Sequence, residues 1–581
     1  MTRVGAKDPS AHTGAWGFVA ISVVMVPLAV ASIGAWIALW VSGAEAGSNP
    51  FATGFELAAG RLQWSGWATA VAVVEAAAVA AAAAAALRWW SRRQAKTTRV
   101  DAGAKYLGQL KDVKSLTESA CRAKAEDLAV KLAPGDLPGV PIGDHIPSGA
   151  PLFGSYEDMH TDIAGPRVGK STTRVIPAVL RAPGPVVTTS NKRDVVDATR
   201  AWREEKTKNA AWVFDPQGVV GEPPRWFWNP LSWVTDEVRA AEMAGHFAKS
   251  EAGEDARGDA FFEPEGEDLL ASLFLCAAVG KEPITKVYEW VSDMQDRRPV
   301  AILESSGKFA MTAASLKSHY NAAEKQKSGV FATARKMARV LKLEHIRPWV
   351  VDDGSGRPEF DPAEFVRSQG TLYALSLEGV ASGGPLVTAL TDAVLQSAVK
   401  YATGCAGGRL PVPMVCPLDE VANVVRWRDL PQLYSHFGSR GIVVMSFLQS
   451  WSQGEQLWGE KGMSKLWGAS NIRMYLGGAS IDDGQFLPNM SKAVGEYSRR
   501  RTSVSLGERR TANVSVAEER IFHEWDLEAL PRGRALVRSS GNRPVLVATK
   551  PWYEDPIAEE VAAANRRWKA NQRVSLVKEG K

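Results

Sequence analysis

The run Ala164-Gly165-Pro166-Arg167-Val168-Gly169-Lys170-Ser171-Thr172 decides how the rest of the chain is read. A glycine-bearing loop that opens a helix turns successive backbone N–H groups toward an anion, and a lysine followed by a hydroxyl residue suits phosphate and Mg2+. Lys170 would reach the β/γ-phosphates of a nucleotide, Ser171 would hold Mg2+ through its hydroxyl, and Gly165, Pro166, Arg167, Val168, Gly169 and Thr172 would complete the cradle. The first glycine of the usual G-x-x-x-x-G-K-[ST] pattern is replaced by Ala164, and the preceding segment, Met159 to Ile163 (MHTDI), is a poor β sequence. A Gly-Lys-Ser triplet also arises by chance in chains of this length, so the loop needs a second element.

That element is Val412 to Leu418 (VPMVCPL), a mostly apolar run that ends in Asp419-Glu420. A buried strand that delivers two adjacent carboxylates suits a metal and a water: Asp419 would hold Mg2+ and Glu420 would polarise the attacking water. A third element is the run GIVVMSF, Gly441 to Phe447, followed by Gln449, an amide at a strand end where it would sense the γ-phosphate. Just before it, Arg440 in Gly438-Ser439-Arg440-Gly441 would stabilise phosphate charge across a subunit boundary.

Outward from these elements, short β-rich runs at Pro185 to Thr189, Ala211 to Phe214 and Thr371 to Ser376 alternate with helical segments, the pattern of a largely parallel sheet. From Asp236 to Leu343 the strand runs vanish and helix-period segments dominate. The expected fold is therefore α/β: a RecA-like P-loop NTPase core with an all-α insertion domain. The expected divisions are an anchor at 1–100, a linker at 101–150, nucleotide-binding parts at 151–235 and 346–550, the insertion at 236–345, and a tail at 551–581, read as a solvent-exposed helix. Trp226-Phe227-Trp228 reads as packing against the sheet.

The N-terminal region reads as two transmembrane helices. Residues 16–41 carry no charge, and about 20 such residues cross a bilayer as a helix. Residues 67–90 are alanine-rich, carry Glu75, and are framed by Trp64, Trp67, Trp89 and Trp90, side chains that settle at headgroup depth. Arg3 and Lys7 precede the first span and Arg88, Arg92, Arg93, Lys96 and Arg99 flank the second, with Arg61 alone between them. Positive charge is retained on the cytoplasmic side, so both termini are expected to be cytoplasmic and the protein multi-pass in the inner (cytoplasmic) cell membrane. Residues 1–100 hold eight Lys/Arg against four acids, which is +4 of the chain's net +5 and leaves +1 for the other 481 residues. A DNA-binding role, if there is one, cannot rest on bulk basicity and would need a local patch or a lined channel. The best cluster is Arg499-Arg500-Arg501 with Arg509 and Arg510. Cys121, Cys276, Cys405 and Cys416 are widely spaced, without a C-x-x-C pair, and read as reduced thiols with no metal framework.

Taken together, A-G-P-R-x-G-K-S-T followed by VIPAVL, PVVTTSNKRD, FDPQG, WNPL, EKQKSGVFATA, LDEVANV, LPQLYSHFGSRGI and LPRGRALV resemble the type IV secretion coupling proteins, the TraG/TraD-type conjugative DNA-transfer ATPases, in an actinobacterial-like branch. In that family an Ala-Gly-Pro start to the loop is ordinary. The resemblance implies a homo-hexameric ring at the membrane that uses ATP and Mg2+ to pass relaxase-bound single-stranded DNA, with its relaxosome, to type IV secretion channel components. It implies roles for Lys170, Ser171, Asp419, Glu420 and Gln449, and less directly for Arg440. The alternatives are an FtsK-like double-strand DNA translocase and a nucleotide-dependent receptor for protein substrates of a secretion system.

Overall fold

The computed structural model describes residues 98–578 except 252–260, 380–382 and 507–509, together with 33–41, 43, 49–64 and scattered positions between 66 and 81. The chain divides into two units, Met1–Arg99 and Val100–Lys581. In the first, Ala38 and Leu39 are buried against Leu57, Leu62 and Val71, and a helix runs over Pro50–Ala58. Among the described residues no helix is long and apolar enough to cross a membrane. Most of the two expected spans lies outside the described residues: only 33–41 of the first, which is helical, and isolated positions of the second fall within them.

Among its described residues the second unit has thirteen strands: β1 (Val140–His145), β2 (Pro151–Gly154), β3 (His160–Ile163), β4 (Val186–Ser190), β5 (Ala211–Phe214), β6 (Thr371–Leu375), β7 (Met414–Leu418), β8 (Ile442–Leu448), β9 (Ile472–Tyr475), β10 (Glu496–Leu506), β11 (Arg510–Arg520), β12 (Arg534–Ser539) and β13 (Val545–Ala548). Eleven form one sheet in the order β2-β1-β13-β12-β9-β3-β8-β7-β4-β6-β5, and β10 and β11 pair separately as a ribbon. From β9 to β5 all neighbours are parallel, whereas β12, β13, β1 and β2 add an antiparallel wing. The loop-bearing β3 and the acidic β7 are separated by one strand, β8, an order that fits a RecA-like core.

The parallel strands are buried on both faces because helices cover both faces, and most of their residues are apolar. In β8, Val443, Met445 and Phe447 pack on one side with Val179, Leu180 and Val195, while Ile442, Val444 and Leu448 pack on the other with Leu390, Val394 and Phe437. That is the two-residue period of a strand buried on both faces. Trp226, Phe227 and Trp228 are all buried, and Trp226 meets Trp212, Phe214, Trp349 and Phe360 ring to ring. Between Asp236 and Val350 the described residues are helical, with Leu269, Leu270, Leu273 and Phe274 of helix Phe262–Val279 buried with Val330, Phe331 and Ala334 of helix Glu324–Met337.

Two differences from the sequence reading have physical causes. The MHTDI segment forms β3 at the centre of the sheet, with all four strand residues buried. Its polar side chains are paired internally: Arg174 Nε donates to Asp162 Oδ2 at 2.7 Å, Arg174 Nη2 to His160 Nδ1 at 3.1 Å, and Thr161 and Ser470 hydroxyls meet at 2.6 Å. Burial, reinforced by the Arg174 charge, pulls the His160 imidazole well below its ordinary pKa, so its Nδ1 accepts; burial also pushes the Asp162 carboxyl up. Removing one partner of a fully buried ion pair strands the other charge, which costs about 3–5 kcal/mol. Arg174→Met is therefore expected to lose stability of that order in chemical denaturation, with Asp162→Leu/Arg174→Met together losing less.

The tail is the second difference. Helix Ile557–Lys578 is present, but it buries Ile557, Val561 and Ala564, a stripe at helical spacing, with residues of helix Asp194–Thr207. Arg567 also donates to Glu205 at 2.7 Å, and the Arg200 guanidinium lies 4.1 Å from the Trp568 ring centroid.

Candidate functional site

Three parallel strands deliver the site to one edge of the sheet. β3 runs into the loop 164–170, β7 ends at Asp419-Glu420, and β8 ends just before Gln449. The loop is drawn tight by glycine: Gly165 N–H donates to Gly477 O at 2.9 Å, and a Cβ on Gly165 would lie 2.2 Å from Gly478 O. Gly169 and Arg167 are both left-handed, at φ 100° and 63°. From Lys170 the chain enters a π-helical turn, Ser171–Val175, that continues into helix Ile176–Arg181. Thr172 and Thr173 hydroxyls donate to Gly169 O at 2.9 and 3.0 Å and close the first turn.

The structure brings the predicted cluster together. Lys170 Nζ lies 2.6 Å from Glu420 Oε1 and 2.9 Å from Asp419 Oδ1, and Ser171 Oγ donates to Asp419 Oδ2 at 3.3 Å. Gln449 Nε2 donates to the other Glu420 oxygen at 2.8 Å. Lys170, Asp419 and Glu420 are 8%, 3% and 6% exposed, so these charges face one another rather than water. Burial works against the Lys170 charge, but Asp419 and Glu420 together outweigh it and hold its pKa above the ordinary lysine value. Burial pushes the Asp419 carboxyl up against the pull of Lys170. Glu420 is left-handed, at φ 53°. Its N–H donates to Asp419 Oδ1 at 3.1 Å, and the Asp419 carbonyl accepts from Thr189 Oγ1 at 2.9 Å, fixing the dipeptide to the end of β4.

Several contributors were not singled out in the sequence. Gln453 Oε1 accepts from the Gln449 backbone N–H at 2.9 Å, and Gln453 Nε2 donates to Asn423 Oδ1 at 2.8 Å, which holds the Gln449 backbone at the end of β8. The turn Gly477-Gly478 backs the phosphate loop, and Arg532 lies against Gly169. Arg440 is not brought to the cluster: it precedes β8, at the opposite end of that strand, and donates from Nη1 to Gly408 O at 2.8 Å. At about 3.3 Å per residue β8 separates it from Gln449 by about 20 Å. Arg499, Arg500 and Arg501 sit on β10 and Arg510 begins β11, with Arg499 paired to Glu519 at 3.0 Å, whereas Arg509 lies outside the described residues.

Residues 413–532, which hold β7 with Asp419-Glu420, β8 with Gln449 and the β10–β11 ribbon, match the family described as the TraM recognition site of TraD and TraG. The chain is also 21% identical over 431 residues to the type IV secretion system-coupling protein VirD4 of Bartonella quintana (strain Toulouse), a match over 68% of this chain and 63% of VirD4. The chain is similar to the type IV coupling proteins of the TraG/TraD type. It spans less than two thirds of the length of the curated coupling protein it matches. Among solved structures it shares the fold of the bacterial conjugative coupling protein TrwBdeltaN70, with TM-score 0.53 and 18% identity over 74% of this chain and 91% of that one. TrwB in complex with the GTP analogue GDPNP gives TM-score 0.53, 18% identity and 74% and 92% coverage; TrwB with ADP and Mg2+ gives 0.51, 18% and the same coverage. The loop 164–172 lies N-terminal to the family match, whereas Asp419, Glu420, Arg440 and Gln449 lie inside it.

Proposed function

We propose that the protein is a membrane-anchored ATPase that couples DNA and relaxosome substrate to a type IV secretion channel and drives transfer by hydrolysis. The observation that carries this reading is the buried contact of Lys170 with both Asp419 and Glu420, beside Ser171 and Gln449. A lysine, a hydroxyl, two carboxylates and an amide converging from three strand ends fit a nucleotide with its metal. The cradle of Gly165, which a Cβ would fill, fits the same ligand. Ser171 Oγ and Asp419 would hold Mg2+, which neutralises charge on the β- and γ-phosphate oxygens when bound. Lys170 carries a fixed positive charge to those oxygens. Glu420 orients the attacking water and takes its proton, and Gln449 holds the Glu420 carboxylate in place. TrwB, which shares this fold, was solved with GDPNP and with ADP and Mg2+.

The remaining parts of the reading rest on sequence. Residues 1–100 form a two-span anchor that leaves both termini cytoplasmic, as the uncharged run and the Lys/Arg asymmetry favour. The helical stretch 236–345 is a separate substrate-facing domain between nucleotide-binding parts 151–235 and 346–550. Subunits assemble as a homo-hexamer in which Arg440, displaced from its own site, serves a neighbour's. Arg499, Arg500, Arg501, Arg509 and Arg510 contact the phosphate backbone of single-stranded DNA, and the segment matched to the TraM recognition site meets relaxosome protein.

ATP turnover by the protein, with and without single-stranded or duplex DNA, tests this. Hydrolysis is expected to rise severalfold with single-stranded DNA, and that stimulation to fall as salt rises because it rests on phosphate contacts. Stimulation by duplex alone would favour a double-strand translocase. Nucleotide binding without turnover, together with retained cargo binding, would favour a receptor.

A further inference from the structure

We infer that Arg532 is a second, cis phosphate-contact residue of the nucleotide site, gripping the inner phosphates that nucleoside di- and triphosphates share. This rests on the phosphate-site reading of residues 164–172. A Cβ on Gly169 would lie 3.4 Å from Arg532 Nε, 3.4 Å from Thr172 Oγ1 and 3.8 Å from Arg532 Nη2. The guanidinium therefore borders the bend of the loop at the residue before Lys170, where the backbone turns into the helix.

Its position is built rather than incidental. The phosphate loop packs on the Gly477-Gly478 turn, with Val168 Cγ1 2.9 Å from where a Cβ on Gly478 would sit. A Cβ on Gly477 would in turn lie 3.1 Å from Leu530 O, two residues before Arg532. Gly533, at φ 83°, turns the chain immediately afterwards. The next arginine has a different occupation: Arg534 grips Asp101 with two hydrogen bonds of 2.7 and 2.8 Å. Arg532 is exposed, and no described residue accepts a hydrogen bond or ion pair from it. Lys170 is already matched by two carboxylates. Arg532 thus brings uncompensated positive charge to the loop, on a planar group that pairs bidentately with phosphate oxygens.

The test uses the full-length protein with fluorescent ATP and ADP, comparing wild type, Arg532→Ala, Arg532→Lys and Arg534→Ala. Loss of a charge-assisted phosphate contact predicts that Arg532→Ala weakens ATP and ADP to the same degree, by about tenfold, and raises KM more than it lowers kcat. Arg532→Lys is expected to recover part of the affinity. Melting of Arg532→Ala without nucleotide is expected to match wild type, whereas Arg534→Ala melts earlier. Unchanged affinity in Arg532→Ala, a fall in kcat alone, or a nucleotide-free melting loss like that of Arg534→Ala would each overturn the assignment. A wild-type protein that binds neither nucleotide would instead overturn the phosphate-site reading itself.

Discussion

Lys170→Ala is expected to lower ATP turnover by about 10²–10³-fold or more, because on the proposed reading it removes a buried cation that meets the phosphates in a site where charge is poorly screened. The same ammonium neutralises two adjacent carboxylates, at 2.9 Å from Asp419 and 2.6 Å from Glu420. Without it two like charges share a buried site, and one of them takes up a proton. The Asp419 carboxyl, already pushed above its ordinary value of 3.8 by burial, rises further. An acid whose folded pKa is raised is stabilising below its unfolded pKa, and that stability is lost as pH rises through the folded value. Lys170→Ala should consequently lose stability relative to wild type as pH climbs from about 5 to 8, read as a growing gap in melting temperature. Wild type keeps the ammonium, which pulls the Asp419 carboxyl down, so its loss with rising pH is smaller. A variant with equal melting curves at both ends of the range would mean that the carboxylates are neutralised by some other group.

The parts of the molecule that were legible in the sequence share a property: their side chains state their own environment. β4 to β8 are mostly apolar because helices cover both faces, and each appears as a short β-rich run. Asp419-Glu420 and Gln449 were legible because polar groups directly after such runs have to emerge at a strand end. β3 was not, since the partners that make His160, Thr161 and Asp162 tolerable at the sheet centre, Arg174 and Ser470, lie 12 to 309 positions away in sequence. The antiparallel wing was missed for a similar reason: β1 carries a glycine, a proline and a charge in six residues, and is held by pairing with β2 and β13. Arg532 had no local signal either, because it meets the loop only after β9 and β12 pair as neighbours. The tail helix did carry its signal, at Ile557, Val561 and Ala564, but charged residues between them read as a solvated surface.

Glu420→Gln is expected to separate binding from hydrolysis where Lys170→Ala impairs both. The amide keeps the size of the side chain and one oxygen to accept from Lys170, gives up the second acceptor that meets Gln449 Nε2, and cannot take a proton from water. The backbone resists relaxation: Glu420 is held left-handed at φ 53°, a conformation unfavourable for a residue with a Cβ, by its N–H bond to Asp419 and by the Thr189 hydroxyl on the Asp419 carbonyl. Such strain is retained where surrounding contacts over-determine it, and here they aim one carboxylate oxygen at Lys170 and the other at Gln449. Loss of a positioned general base lowers kcat by about 10²–10⁴-fold. ATP affinity should stay within a few fold of wild type, because Lys170, Ser171 and the loop amides are untouched. Gln449→Ala, which frees the carboxylate without removing it, should fall between the two in kcat. If Glu420→Gln turned over ATP within tenfold of wild type, water activation would belong to another group, and Glu420 would be left as a counter-charge that positions Lys170.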